Sequence, residues 1–415
     1  MANKEIVFPS GVSRRVAFRQ EAGRRDRYFA PWALNVRLED FTGRLRGGSW
    51  SPTAVLPGAA TQNRYLTDGN GNRITDSDGN HILVGVDVVA NRSGGVEFVD
   101  PGEDAPESHP AQCLYRARLI RPSGGLIFAS RQGDYKDWDL SVDISDAGRA
   151  YVIQLAEAGE IGADVVSLIP HKDAYMMAAT SNSLWVIQGD PTADGTLRNI
   201  SREVGMVGAK AWCRDHLDRY YFLSSHGLYT VSASGEGLQA ISENVIPEHL
   251  TGVNNTNTVL QYDHETRGVY IHIPDAEVSW LFDTERQGFW PFKVGYSGSH
   301  VAIGPIALGD GATFGRLTQI HGVLAQGSVN VTWRILVADT AEQVAENAKA
   351  AIESLVDGNT PTGIQGMGVW TGTGANHRSY PRARGKFMVL LLSANSGNWA
   401  WEGARCFIEP SGRWR

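Results

Sequence analysis

A recurring hairpin constrains this chain more than any other feature. The stretch YYFLSSHGLYTVS, Tyr220 to Ser232, reads as two short strands around a tight Ser-Ser-His-Gly turn. AYMMAATSNSLWVIQGD, from Ala174, and GVYIHIPDAEVSWLFDTE, from Gly268, repeat the plan: an apolar strand, a short polar break, then a second strand with a central aromatic. With Tyr175, Tyr220 and Val269 taken as equivalent, the steps are 45 and 49 residues, and GLIFAS at Leu126 stands another 49 upstream. A four-stranded antiparallel sheet consumes about 40–50 residues and cannot bury both faces alone, so this period points to β-propeller blades. The aromatics Trp185, Tyr229 and Trp280 are expected at equivalent positions of successive blades, as packing groups between blades and not as ligand platforms.

Extrapolating the step reaches NHILVG (Asn80 to Gly85) and GRLTQIHG (Gly315 to Gly322), which sets the expected blade number at four to six. The propeller is placed at 51–322. Within it an inserted hairpin near 65–83 carries two near copies of Thr-Asp-x-x-Gly-Asn. Alternating oxygens at Asp76, Asp78 and Asn80 suggest a calcium loop. The sixth-position Gly and terminal Glu of such a loop are missing, and Asp-Gly and Asn-Gly are good hairpin-turn residues, so turns are the expectation.

The pattern changes at 323–415. VNVTWRILVAD alternates as a strand, and one helix follows at 341–357, with Asp339 or Thr340 as cap, a stripe of Val344, Ala348, Ile352 and Leu355, and Gly358 as terminator. KFMVLLLSA and WAWEGARCFIEP suit inner strands. The fold class expected is therefore all-β: a β-propeller-like repeat domain followed by a C-terminal β-sandwich-like domain carrying one helix. Residues 1–50 form a basic arm and the first strands. Its arginines, Arg14, Arg15, Arg24 and Arg25 among them, read as a solvated arm available for subunit contacts.

A net charge of −7 argues against a protein that coats nucleic acid by generic electrostatics. Three cysteines, Cys113, Cys213 and Cys406, have no paired spacing, which suggests neither a disulfide framework nor a thiolate zinc site and fits assembly in a reducing cytoplasm. No signal-peptide core or apolar run of membrane-spanning length is legible.

Several stretches, taken in order, resemble a known family: ALNVRLEDFTGRLRGGS, LIFASRQGDYKDWDLS, MMAATSNSLWVIQGDPT, ISREVGMVGAKAWCRDHLDRYYFLSSHGLYTVS, FDTERQGFWPF and a terminal SGRWR. They are similar to bacteriophage tail hub or nozzle proteins, the β-propeller proteins of packaged-DNA stabilisation type in short-tailed phages. The resemblance spans most of the chain and is strongest at 115–295. It implies a virion structural protein forming a homo-oligomer, a hexamer, below the portal and head-to-tail adaptor. Such a ring closes the DNA channel after packaging and passes duplex DNA without reading its sequence. It also implies a place in the phage tail beside fibres or spikes, assembly in the host cytoplasm, and neither catalytic residues nor a cofactor.

The search for chemistry agrees. No P-loop, dinucleotide fingerprint, nucleophile elbow, His-Glu-x-x-His or Cys-x-x-Cys pair occurs. SRQGDYKDW, with Asp134, Asp137 and Asp139, only superficially resembles the Asp-box turn of propeller glycosidases. His171, His216, His226, His249, His264 and His272 lack metal-ligand spacing and read as turn or surface residues. The alternatives are a module that binds a host surface or attaches fibres, and a glycan-degrading tail enzyme. A hexamer favours the hub, whereas receptor-binding tips and spikes are more often trimers.

Overall fold

The computed structural model describes residues 104–411 apart from 156–162, 310–312, 372–375 and positions 244, 265, 275, 277 and 294, together with strands at 2–5, 32–34, 36–38, 45–47, 62–65 and 83–87. The chain is nearly all-β. Four antiparallel four-stranded sheets follow one another in sequence order, each a simple meander, in a propeller-like arrangement. Their strands run from Cys113–Tyr115 to Tyr151–Gln154, Val165–His171 to Thr196–Ser201, Trp212–Arg214 to Gln239–Ala240, and Val259–Asp263 to Gly288–Phe292.

Short turns explain why these segments pair locally. The first and second strands of sheet one are joined by Arg116 and Ala117 alone, both at positive φ (51° and 56°), the geometry of a two-residue hairpin. In sheet three the turn is Ser225–His226, and Gly227 follows at φ 123°, where a Cβ would lie 2.3 Å from Ser242 Oγ. That oxygen instead accepts the Leu228 N–H at 2.9 Å.

Successive sheets bury their facing surfaces against one another. Trp185, Met176 and Ile187 of sheet two pack on Cys113, Ile120 and Ile127 of sheet one. Tyr220, Phe222 and Val231 of sheet three pack on Met177, Leu184 and Val186 of sheet two. Val269, Ile271, Trp280 and Phe282 of sheet four pack on Tyr221, Leu223 and Leu228 of sheet three. The far face of sheet four, with Tyr270, Leu281, Trp290 and Phe292, joins the core of the C-terminal sandwich.

The three repeat aromatics all sit on the third strand of their sheet and face the preceding sheet, opposite Ala178, Phe222 and Ile271. Two readings of the repeat shift in register. Met176, Tyr220 and Val269, not Tyr175, are equivalent, because they pair with Ile187, Val231 and Phe282 on one face; a one-residue slip moves a strand residue to the other face. Leu126–Ala129 is the third strand of sheet one, so Phe128, opposite Arg121 and two pairs from the turn, stands where Tyr229 stands in sheet three.

The sandwich is assembled from both ends of the chain. A seven-stranded sheet joins Ala2–Glu5, Val36–Leu38 and Leu45–Gly47 to Gly315–Leu324, Asn376–Ser379, Ala383–Gly385 and Trp399–Pro410. A five-stranded sheet orders Trp32–Leu34, Ser299–Ala307, Phe387–Ala394, Val331–Ala338 and Ile364–Trp370. The expected border at 322/323 thus runs through a strand, and GRLTQIHG belongs to the sandwich, not to a further blade. Its pairing with 403–410 is remote in sequence and leaves no local pattern. Strands Gln62–Tyr65 and Leu83–Asp87 pair with each other, and the residues between them, Asp76, Asp78 and Asn80 included, lie outside the described residues, as do Arg14, Arg15, Arg24 and Arg25.

The helix runs Ala341–Val356, one residue short of its expected end. Thr340 caps it by accepting from Gln343 N, and Gly358 follows at φ 77°. Val344, Ala348, Ala351 and Ile352 cover Leu34, Ala302, Leu336, Val389 and Leu391 of the five-stranded sheet. Among the described residues no helix is long and apolar enough to cross a membrane.

That same sheet holds a buried histidine. His300 pairs with Leu34 and Ser393, its Nε2 lies 2.8 Å from the Tyr296 hydroxyl, and its Nδ1 has no hydrogen-bond partner among the described residues. Burial and the neighbouring Arg334 cation push it down from 6.5 to about 4. The unfolded chain therefore takes up this proton first as pH falls. Stability is lost between pH 6.5 and 4, by about 3 kcal/mol from this group, and the loss is absent above that window. Urea midpoints of the parent should fall more steeply over this range than those of His300→Gln; parallel slopes would show that His300 titrates normally.

Candidate functional site

One rim of the four-sheet row gathers the turns between first and second strands and those between third and fourth, because in a meander both leave the sheet at the same end. Successive sheets are latched along this rim. His171, closing the first turn of sheet two, places Nδ1 2.8 Å from the Tyr220 hydroxyl of sheet three. His216, in the first turn of sheet three, places Nδ1 2.7 Å from the Tyr262 hydroxyl of sheet four. His264 then sits edge-on to Tyr262. The steps between these histidines, 45 and 48 residues, follow the repeat, so the signal was present in the sequence as a period and not as a metal-ligand spacing. Burial lowers His171, which keeps its ring neutral near pH 7.

Between sheets one and two the latch is ionic. Arg118 is 1% exposed, and its Nη1 donates to the carbonyls of Ser130, Gly148 and Arg149 at 2.9, 3.0 and 2.6 Å. Its Nη2 donates to Ala147 O at 2.9 Å and to Asp190 Oδ2 of sheet two at 3.4 Å. The guanidinium also lies over the Tyr151 ring, 5.2 Å from its centroid. Arg116 completes the contact through its backbone N–H to Asp173 Oδ1 at 3.1 Å. Burial raises the Asp190 carboxyl, but the Thr192 hydrogen bonds and Arg118 outweigh it and hold Asp190 below the usual carboxylate range. Sequence inspection missed Arg118, because an arginine at a strand start reads as exposed.

The other rim carboxylates are equally committed. Asp215 Oδ1 accepts from the Leu217 and Arg219 N–H groups, both at 2.9 Å, and Oδ2 from Arg219 Nε at 2.7 Å. Asp283 brackets its turn in the same way through Glu285 N, Arg286 N and the Arg286 guanidinium. The Asp-rich loop of sheet one is a run of Asx turns: Asp134, Asp137, Asp139, Asp143 and Asp146 each accept the N–H two residues on, at 2.8 to 3.0 Å. Among the described residues no three His, Cys, Asp or Glu side chains are grouped to hold a metal ion. Burial pushes the Cys113 thiol up to about 12 and raises Cys213, so neither supplies a thiolate near neutrality.

The remaining histidines serve packing and turns. His249 lies against Trp280, with ring centroids 5.0 Å apart, and His272 Nδ1 is 3.0 Å from Ser279 Oγ. His226 occupies the sheet-three turn beside Ser225. The rim as built can lock sheets together and present charge. It does not converge on a reacting atom.

No protein-family model matches the chain, and no curated protein matches it. Comparison with solved structures gives an alignment to one named "Glycoside hydrolase" at 10% identity, covering 70% of this chain and 67% of that one, with a TM-score of 0.18. So loose a superposition carries no argument about fold or activity.

Proposed function

We propose that this chain is a virion structural protein, a tail hub or nozzle that sits below the portal and adaptor of a short-tailed phage. It assembles as a homo-oligomer, a hexamer, beside tail fibres or spikes. It closes the channel after packaging and lets duplex DNA pass during ejection. The observation that supports this reading most is the latched row of four sheets docked on a sandwich. The faces between successive sheets are filled by packing and the rim carboxylates described are paired with arginines or backbone, as a load-carrying wall requires and an active site does not. Within the stretches 176–232 and 282–292, the brackets at Asp215–Arg219 and Asp283–Arg286 are hairpin tips, and Trp185 and, just outside them, Trp280 are inter-sheet core.

Particles assembled without the chain are expected to package DNA and then lose it. Heads that stay full without it would overturn the reading. Electrostatics adds a second expectation. Six copies would carry −42, six times −7, and a net-negative ring repels duplex DNA within the Debye length. Binding of the isolated oligomer to duplex DNA should therefore be weak at physiological salt. Tight, steeply salt-dependent binding that disappears on replacing Arg14, Arg15, Arg24 and Arg25 would instead make the N-terminal arm a DNA clamp.

A further inference from the structure

The seven-stranded sheet carries a line of basic side chains that its own residues do not neutralise. His321, on strand Gly315–Leu324, stands directly opposite Arg378 on one neighbouring strand and Arg405 on the other. Directly opposite residues share a face, with Cβ atoms about 4.5–5.5 Å apart, so the three side chains leave the sheet as one row across three strands. That face is the outer one. Ile320 is buried in the sandwich core and a Cβ on Gly322 would lie 2.4 Å from the Trp370 ring, so the residue between them points away from the core. Arg378 and Arg405 are exposed and His321 is half-buried.

Like charges at opposite positions destabilise a sheet, and here two guanidinium groups flank one imidazole. Among the described residues neither Arg378 nor Arg405 is ion-paired with a carboxylate. The acids in register nearby are Glu5, opposite Arg405 on the strand beyond, and Glu409, opposite Arg316 one row away. Gln319 Nε2 lies 2.5 Å from His321 Nε2; an amide N–H only donates, so the neutral ring accepts there and holds its proton on Nδ1. The Phe407 ring backs the imidazole, with centroids 4.9 Å apart. Burial lowers His321, and the Arg378 and Arg405 cations lower it further, which keeps the ring neutral near pH 7.

We propose that this row binds the dianion of a phosphate monoester, held by Arg378 and Arg405 from either side with His321 between them as a third donor. Two fixed cations match the two charges of the dianion, and guanidinium forks suit its oxygens in paired hydrogen bonds. Once the dianion offsets the arginines, His321 gains a proton and adds a third charge. A phosphodiester carries a single charge and drives that protonation less, so the row selects a terminal phosphate over a nucleic-acid backbone. The site is therefore compatible with a net-negative chain that repels duplex DNA, and it stands whether or not the chain serves in a tail.

The experiment is calorimetry on the full chain at neutral pH and fixed ionic strength, with methyl phosphate as the probe and dimethyl phosphate and chloride as comparators. Saturable binding is expected for the monoester alone. Arg378→Gln and Arg405→Gln should each weaken it by about tenfold or more, the loss of one charge-assisted pair. His321→Gln should weaken it and abolish the proton uptake that the parent shows as a heat varying with the buffer. Without the probe, the arginine variants should melt at or above the parent's temperature, because a like-charge neighbour is gone; a merely structural role would lower it. Dimethyl phosphate bound as tightly, a response no larger than that to chloride, or arginine variants that bind like the parent would overturn the proposal. A short oligonucleotide separates the two sources of phosphate. Binding that requires its 5′-phosphate supports the terminal site, and equal binding without that group would make the row a backbone contact and sink it.

Discussion

Trp280→Ala should cost about 3–5 kcal/mol, the range for truncating a large aromatic in a packed core. Trp280 is 1% exposed, faces Ile271 across the strand pair, and is packed with Phe282, Phe289 and the His249 ring between sheets three and four. Its removal opens a cavity that backbone on two sheets must border, so little collapse is available. Tyr229 holds the same position one sheet earlier but is only half-buried, lying parallel to Phe222 with centroids 5.8 Å apart. Tyr229→Ala should cost about 1–2 kcal/mol. Urea unfolding of the two variants measures the difference directly. Equal losses would mean that the strand position, and not the enclosure, sets the energy.

This contrast marks how far the sequence could be read. The period of 45 to 49 residues located four sheets and put three aromatics on equivalent strands, because each hairpin is closed by local turns and its faces alternate with period two. The same alternation made the reading fragile at Tyr175, where one residue separates the two faces. Sheet one was anchored on the wrong strand, since LIFA is the clearest apolar run there and the true second strand, RLIRPS, opens with a charge. The burial of Tyr229 was out of reach: whether the preceding sheet extends far enough to cover a ring depends on packing between units, not on the pattern within one. Most distant from local sequence was the sandwich, where Trp32–Leu34 pairs with residues 300–302 and Leu45–Gly47 with 399–401. Nothing within a window of ten residues announces those partners. The rim was legible in part. The histidine period was visible, but its use as a latch required the tyrosine hydroxyls of the next sheet to be placed beside it.

Arg118 is the second place where a single change should tell. Arg118→Met keeps the bulk of the side chain and removes the cation, leaving the carbonyls of Ser130, Ala147, Gly148 and Arg149 without this donor and Asp190 without its buried counter-charge. Breaking a buried pair from one side costs about 3–5 kcal/mol, because the partner's desolvation is no longer compensated. Arg118→Lys separates charge from geometry. An ammonium can still face Asp190, but it cannot reach four carbonyls and a carboxylate from one plane, so a loss of about 1–3 kcal/mol should persist. The position of the cage predicts where the damage appears. It closes the loop of sheet one, through residues 147–149, onto Asp190 of sheet two, so the latch between these sheets should open before the row as a whole unfolds. Hydrogen exchange should accordingly rise first at residues 118–130 and 147–151, with sheets three and four unchanged. Uniform acceleration across all four sheets would show that the row unfolds as one cooperative unit. A melting temperature equal to the parent's would show that water replaces the guanidinium at no net cost and that the core around Met176 and Ile120 holds the first sheet by itself.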